Sequence, residues 1–386
     1  MKKKIIRMGM VGCGTMSGAY LSQMESLSDC IKFTGLVDID IERAKAAEAS
    51  SPIANGAKLA TDYREVLDDV DALVLAIPHH LHRDIAIDCI KAGKHVLVEK
   101  PIANTEADSL DIINALEGTD VVGMHGYVMR HNPFVTKYGN MIQSGEYGDC
   151  FHVSLFVEQF TDCSRGDWVG KADQVGGGQL FSHGCHYVDL MLKWMGEPVS
   201  GTHIGTNTGT PWMEMEGTSS MAIKFKSGAT GLHFGTWGAR GTKNGYNFQA
   251  HCTKGMLEFN YRDGEIVLWC DPNQGDLGGM SREEMESDSA QPRSRVISDD
   301  MDTQKHTQAE MKHFIDCIKK GCVPETDLKS GLQSLRVIWR LYEAERRGVV
   351  ADLRGLGLDQ FSPEPDPFLA ETKRFGYTCN LKELFA

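Results

Sequence analysis

Apolar residues come in two textures along this chain. Through the first third, short runs rich in Val, Ile and Leu (residues 5–11, 33–37, 72–77, 95–98 and 121–124) alternate with amphipathic stretches such as 41–49 and 83–91. Strand-like runs with no polar face, separated by helical periods, predict parallel strands covered on both sides by helices. The first unit is therefore read as a doubly wound α/β domain. After about Tyr127 the runs lengthen and alternate, as in 219–237 and 247–261, with glycine-containing turns between them. That pattern predicts antiparallel sheet in an α+β second unit. Helices are expected over 133–144, from near Ser182, over 307–320 and over 328–347. The polar, acidic stretch 271–305 reads as a surface excursion, and the proline-bearing tail from Asp352 is expected to lie over the surface. The expected division is 1–127, 128–350 and a tail of 351–386.

Composition narrows the function classes. At 386 residues the chain has room for two cored domains. A net charge of −13 argues against a general affinity for nucleic acid or anionic membrane, because phosphate binding needs clustered cations, and a small-molecule partner is expected. The basic start MKKKIIRMGMVGCG is broken by Arg7 and by glycines, so it reads as a strand rather than a secretion signal. No run approaches the roughly 18 apolar residues of a spanning helix. Eleven scattered cysteines without C-x-x-C spacing predict reduced thiols and a cytoplasmic setting.

The first chemistry-bearing motif is Gly12-Cys13-Gly14-Thr15-Met16-Ser17, after the first strand and at the start of a helix. One glycine permits the tight turn and the second lets backbone approach a pyrophosphate. Ser17 stands where Gly or Ala usually packs the helix. The second strand ends in Val37-Asp38, a carboxylate at the spacing expected for ribose hydroxyls. Asp38-Ile39-Asp40 puts negative charge where a 2′-phosphate would sit, which favours NAD over NADP. Asp40 is the better candidate for capping the next helix. Further on, Pro78 ends a buried strand, with His79, His80 and His82 crowding the helix start after it, and Lys100 sits at another strand end before Pro101.

These elements together resemble the glucose–fructose oxidoreductase and inositol dehydrogenase family, Gfo/Idh/MocA. The resemblance rests on Gly12-Cys13-Gly14, Val37-Asp38, Pro78 with His82, the run from Gly93 to Glu99-Lys100-Pro101, and Gly177-Gly178 leading to Gly184 and His186. It extends to Thr253-Lys254-Gly255 and to the segment 314–324. It implies a Rossmann domain followed by a domain with a large, mostly antiparallel open sheet, and a homodimer or homotetramer. It implies a cofactor bordered by Gly12, Gly14, Thr15, Met16, Asp38, Pro78, His79, His82, Glu99 and Lys100. It places Lys100 near a substrate hydroxyl or carbonyl, and it draws Arg130 and Asn132 toward the substrate, although an arginine at a domain junction also reads as a structural tether.

The stretch GGGQLFSHGCHYVDL, 176–190, carries the remaining chemistry. In many members of the family an aspartate four residues before the histidine shares proton transfer with it, and Ser182 occupies that position here. A serine is no carboxylate base at neutral pH. Helical spacing puts Ser182, His186 and Asp189 on one stripe and turns His183 away. His186, with an ordinary pKa near 6.5, is the candidate base, aided by Lys100. Ser182, His183 and Trp168 are candidate substrate contacts, and Phe181, Trp237 and Tyr246 could stack on a sugar or pack in the core. A metal would need ligands converging at about 2 Å, which a His-Gly-Cys-His helix start splays apart, so none is expected. The reading is an NAD-dependent oxidoreductase acting on a secondary hydroxyl of a sugar, glycoside or inositol. Its alternatives are a glycosidase that oxidises its substrate transiently on a retained NAD, and a non-catalytic sensor.

Overall fold

The computed structural model describes residues 5–162, 167–270, 293–299 and 305–369. Six strands form the first sheet: β1 (Ile6–Val11), β2 (Ile31–Val37), β3 (Lys58–Ala60), β4 (Ala72–Leu75), β5 (His95–Glu99) and β6 (Gly123–Gly126). Their order is β3-β2-β1-β4-β5-β6 and every pairing is parallel. The central strand β4 is buried at all of its residues, as a strand covered on both faces must be. This is the doubly wound arrangement, whose ligands lie beyond the carboxyl ends of the strands where the order reverses. Gly12, Ala76 and Lys100 all fall at those ends.

The second sheet has nine strands: β7 (Cys150–Glu158), β8 (Pro198–Thr206), β9 (Thr218–Phe225), β10 (Thr230–Thr236), β11 (Tyr246–Cys252), β12 (Gly255–Asn260), β13 (Glu265–Cys270), β14 (Arg293–Ser298) and β15 (Ala351–Asp352). The order is β14-β13-β12-β11-β7-β10-β9-β8-β15, antiparallel except for the β7–β10 pair. One face packs on the helix Cys185–Met195, whose residues are nearly all buried.

Three features depart from the expected division of the chain. The helix Thr307–Lys320, assigned by sequence order to the second unit, packs Met311, Phe314, Ile315 and Cys317 into the core beneath β1, β2 and β4. Its apolar stripe fits the helix layer of the first sheet, so the chain returns there after leaving the second. Within the expected excursion 271–305, β14 forms an edge strand; most of the rest lies outside the described residues. The tail is tied down as far as Leu369: β15 pairs with β8, and Leu353, Leu356 and Leu369 are buried. Residues 370–386 lie outside the described residues.

The helix Leu328–Arg347 touches both sheets and locks them together. Its Arg336, 2% exposed, pairs with Glu106 at 2.6 Å and donates to the carbonyls of Ser362 and Glu364. Arg336→Met would strand the Glu106 carboxylate in a desolvated place, and breaking such a pair costs about 3–5 kcal/mol. Denaturant unfolding should show that loss, with partial recovery in the double variant Arg336→Met/Glu106→Gln.

Candidate active site

The glycine turn shows why its residue types are required. Gly12 has φ +92°, and a Cβ there would lie 2.2 Å from the Ala76 carbonyl oxygen, so no side chain fits. Gly14 has open space around the same point, which leaves its backbone accessible to a ligand. Ser17 is buried and donates to the Gly14 carbonyl at 2.6 Å, fixing the turn from inside. The Asp38 carboxylate accepts from the Cys13 N–H at 2.8 Å and from the Asp40 N–H at 2.9 Å. It therefore holds the end of β2 against the glycine turn. Asp40 caps the helix Ile41–Ser50 by accepting from Glu42 N–H, the role assigned to it from the sequence. Beside Asp38 the side chain of Ile39 is 93% exposed, an apolar surface that the sequence reading overlooked. Thr15 is exposed and Met16 partly buried in the first helical turn.

At the neighbouring strand ends the histidines divide by role. His82 is fully buried, with Nδ1 2.8 Å from the Pro101 carbonyl oxygen and Nε2 3.0 Å from that of Ile77. Both ring nitrogens face backbone, so His82 pins the Lys100–Pro101 turn and leaves no nitrogen for a cofactor. His79 is buried, with Nδ1 2.9 Å from the Val175 carbonyl oxygen and the Trp168 ring edge-on at 4.5 Å. Pro78 starts this short turn. His79 and Trp168 thus join the first unit to the segment before Gly176.

Lys100 provides the link on which the site is built. Its ammonium donates to the Ser182 carbonyl at 2.8 Å, connecting β5 to the turn that opens the His186 helix. Ser182 presents its backbone, rather than a carboxylate, where the family aspartate would stand. The turn Leu180–Gly184 is wide, closed by i→i+5 hydrogen bonds, a form found often at functional sites. This wide turn alters the expected stripe. His183 does not turn away: its ring lies 6.2 Å from that of His186 and faces Tyr187, Trp237 and Tyr246. Phe181, by contrast, is fully buried against Trp339 and belongs to the core.

Burial pushes the pKa values of His186 and His183 well below the usual histidine range, and the Lys100 ammonium pushes both further down. Both are therefore neutral at pH 7, and a neutral imidazole is able to accept a proton. His186 is 6% exposed; its ring lies 5.5 Å from Tyr127, whose ring in turn meets that of His125 at 3.9 Å, tilted by 47°. Neither Tyr127 nor His125 was singled out from the sequence, although both lie at the carboxyl end of β6. Lys305 was missed as well. It lies 3.2 Å from the Met16 sulfur, and its charge depresses both imidazoles.

Two expected substrate contacts are occupied elsewhere. Arg130, 8% exposed, pairs with Asp189 at 2.6 Å and reaches Glu325 at 3.3 Å. It is the tether, and it takes up the Asp189 carboxylate that the stripe would have offered to His186. Asn132 caps the helix Pro133–Gln143, accepting from Phe134 and Val135 N–H. Among the described residues no three His, Cys, Asp or Glu side chains are arranged to hold a metal ion, and no helix is long and apolar enough to cross a membrane.

Histidines held neutral by burial bind fewer protons folded than unfolded, so stability rises with pH through the window below the ordinary value of about 6.5. Unfolding free energy measured by denaturant titration should therefore fall as pH is lowered from 7 to 5, by up to about 1.4 kcal/mol per pH unit for each such histidine. His186→Gln and His183→Gln should flatten this dependence.

Two family models match the chain. One, described as an oxidoreductase family with an NAD-binding Rossmann fold, covers residues 6–127, and the GFO/IDH/MocA C-terminal domain covers residues 135–258. Levoglucosan dehydrogenase of Pseudarthrobacter phenanthrenivorans is 27% identical over 249 residues, 57% of this chain and 64% of that protein. Inositol 2-dehydrogenase 2 of Saccharopolyspora erythraea is 30% identical over 146 residues, 37% of this chain and 42% of that protein. The chain thus aligns with less than two thirds of the length of each of these two relatives. The solved structure of a levoglucosan dehydrogenase in complex with NADH matches with a TM-score of 0.75 and 20% identity, covering 91% of this chain and 99% of the other. That likeness is one of fold.

Proposed function

Because the chain belongs to the Gfo/Idh/MocA oxidoreductase family, with an NAD-binding Rossmann fold over residues 6–127, we propose that it is an NAD-dependent dehydrogenase of sugars or polyols. The substrate is a sugar, glycoside or inositol whose secondary hydroxyl becomes a ketone, or the reverse. The observation that carries this reading is the 2.8 Å bond from Lys100 to the Ser182 carbonyl, which holds an ammonium against the turn leading into His186.

The residues present fit NAD. Gly12 admits no side chain and Gly14 leaves open space, while Asp38 and the exposed Ile39 stand at the end of β2 as an acceptor for ribose hydroxyls and an apolar surface for a base. When bound, NAD supplies the hydride acceptor. Negative charge at Asp38 and Asp40 disfavours a 2′-phosphate, so NADP is the poorer ligand.

His186, neutral at pH 7, takes the proton of the substrate hydroxyl. Lys100 stabilises the negative charge that develops on that oxygen; with Ser182 accepting one of its protons, two N–H groups stay available to the substrate. Tyr246, partly buried beside His183, offers aromatic surface for the apolar face of a sugar ring, whereas Trp237 is buried behind His183. His183 is placed to contact a hydroxyl. The levoglucosan and inositol dehydrogenases among the relatives act on compounds of this class, by their names. A cytoplasmic enzyme assembled as a homodimer or homotetramer belongs to the same reading, supported by the free cysteines among the described residues and by the open second sheet.

The test is a panel of inositols, hexoses and glycosides incubated with NAD while NADH is followed. Lys100→Met and His186→Ala should each lower kcat/KM by about 10² or more. Turnover within a few-fold of wild type in either variant would refute the assigned roles. Release of an aglycone without net NADH would replace this reading with the glycosidase one.

A further inference from the structure

Three side chains from distant parts of the chain meet beneath Lys100. Glu99 ends β5 and is 5% exposed; Tyr20, in the helix Thr15–Leu21, and Glu310, in the helix Thr307–Lys320, are fully buried. The Tyr20 hydroxyl lies 2.8 Å from Glu99 Oε1 and 2.7 Å from Glu310 Oε2. A hydroxyl has one proton, so it donates to one carboxyl oxygen only. At such a distance the other contact needs a proton coming from the carboxyl side, since two bare oxygens would face each other through their lone pairs. The cluster therefore holds one carboxylic acid and one carboxylate.

The acid is Glu310. Its second oxygen, Oε1, is buried with no hydrogen-bond partner among the described residues, whereas Glu99 Oε2 accepts the Lys100 backbone N–H at 3.2 Å. An unsolvated, unbonded carboxylate oxygen is the costlier one to charge. Burial, and then the charge of Glu99, push the Glu310 carboxyl well above the usual range. The titratable groups that face it are Tyr20, Glu99 and, from the segment leading into its own helix, Lys305. Lys100 acts on Lys305 in turn. The helix start at Thr307 favours an anion in its first turn, but this effect is small beside the desolvation of a second charge.

We infer that Glu310 is a positioning residue: held as the neutral acid it donates to Tyr20, Tyr20 donates to Glu99, and Glu99 is fixed as a single carboxylate at the root of Lys100. The inference rests on the reading of Lys100 as the group that stabilises the substrate oxygen. The same array joins the helix after the glycine turn, the strand that carries Lys100 and a helix from the far end of the chain. A second carboxylate charge here would pull on the ammonium group of Lys305, which faces both carboxyls.

Infrared difference spectroscopy of wild type minus Glu310→Gln, in D2O at neutral pH and without substrate, should show the C=O band of a protonated carboxylic acid. Tyr20→Phe should move that band to higher frequency, because its hydrogen bond is lost. Absence of the band from the difference spectrum overturns the inference. In turnover, Glu310→Ala should lower kcat about 10-fold or more through misplacement of Lys100. Glu310→Gln, which keeps a neutral donor, should recover most of that loss with the pH profile of wild type. A Gln variant as slow as the Ala variant also overturns it. The spectroscopic arm needs no substrate, so it separates a failure here from a failure of the dehydrogenase reading, and it decides the matter if Glu310→Ala does not fold.

Discussion

The bond from the Lys100 ammonium to the Ser182 carbonyl, 2.8 Å long, is where the two sheets of this protein meet chemically. Lys100 comes from the carboxyl end of a parallel strand, and Ser182 from the wide turn that starts the helix packed on the second sheet. Everything assigned to the site depends on that approach. It puts a positive charge beside His183 and His186, which adds to the effect of burial in keeping both imidazoles unprotonated. The rest of the framework holds the two ends still. Arg130–Asp189 ties the start of the second unit to the His186 helix, Arg336–Glu106 ties the long carboxyl-terminal helix to the first sheet, and His82 pins the Lys100–Pro101 turn.

Such a site is assembled from groups that are costly to bury. Neutral histidines, a carboxyl held as its acid and fully desolvated ion pairs lie within one region, each tolerable because a specific partner or a proton removes its charge problem. The distribution has a functional logic. A base must be neutral to accept a proton, and an ammonium must be charged to stabilise an oxyanion, so the two are best served by unequal environments: His186 is enclosed, while Lys100 is only partly buried. Fixing these states by burial removes reorganisation at the moment of reaction.

Much of this was legible from residues alone. The parallel strands announced themselves as apolar runs, the glycine turn and Asp38 as a motif with fixed spacing, and Asp40 as a cap. Lys100 and His186 were named from a family resemblance, and the Lys100 ammonium reaches the Ser182 carbonyl in the turn that leads into His186. Other candidates meet protein groups instead. Arg130 and Asn132 looked like ligand contacts but serve an ion pair and a helix cap; His82 looked like a cofactor contact but faces backbone carbonyls. Nothing in a one-dimensional pattern distinguishes a polar side chain that meets a ligand from one that meets a buried carbonyl, because both need the same donors. Tyr127, His125, Lys305, Tyr20 and Glu310 had no local signal at all.

Local sequence determined the strands and helices, the conformation of the turn at Gly12, and the choice of acidic residues at the end of β2, since these depend on side chains within a few residues of each other. Tertiary structure alone decided that the helix Thr307–Lys320 returns to the first sheet, that a wide turn brings the His183 ring near that of His186, and that Glu99, Tyr20 and Glu310 meet in one hydrogen-bonded array. Those outcomes depend on which surfaces bury each other, and on how far charge is removed from water, across separations of up to 290 residues. Burial at that range is a property of the packed whole.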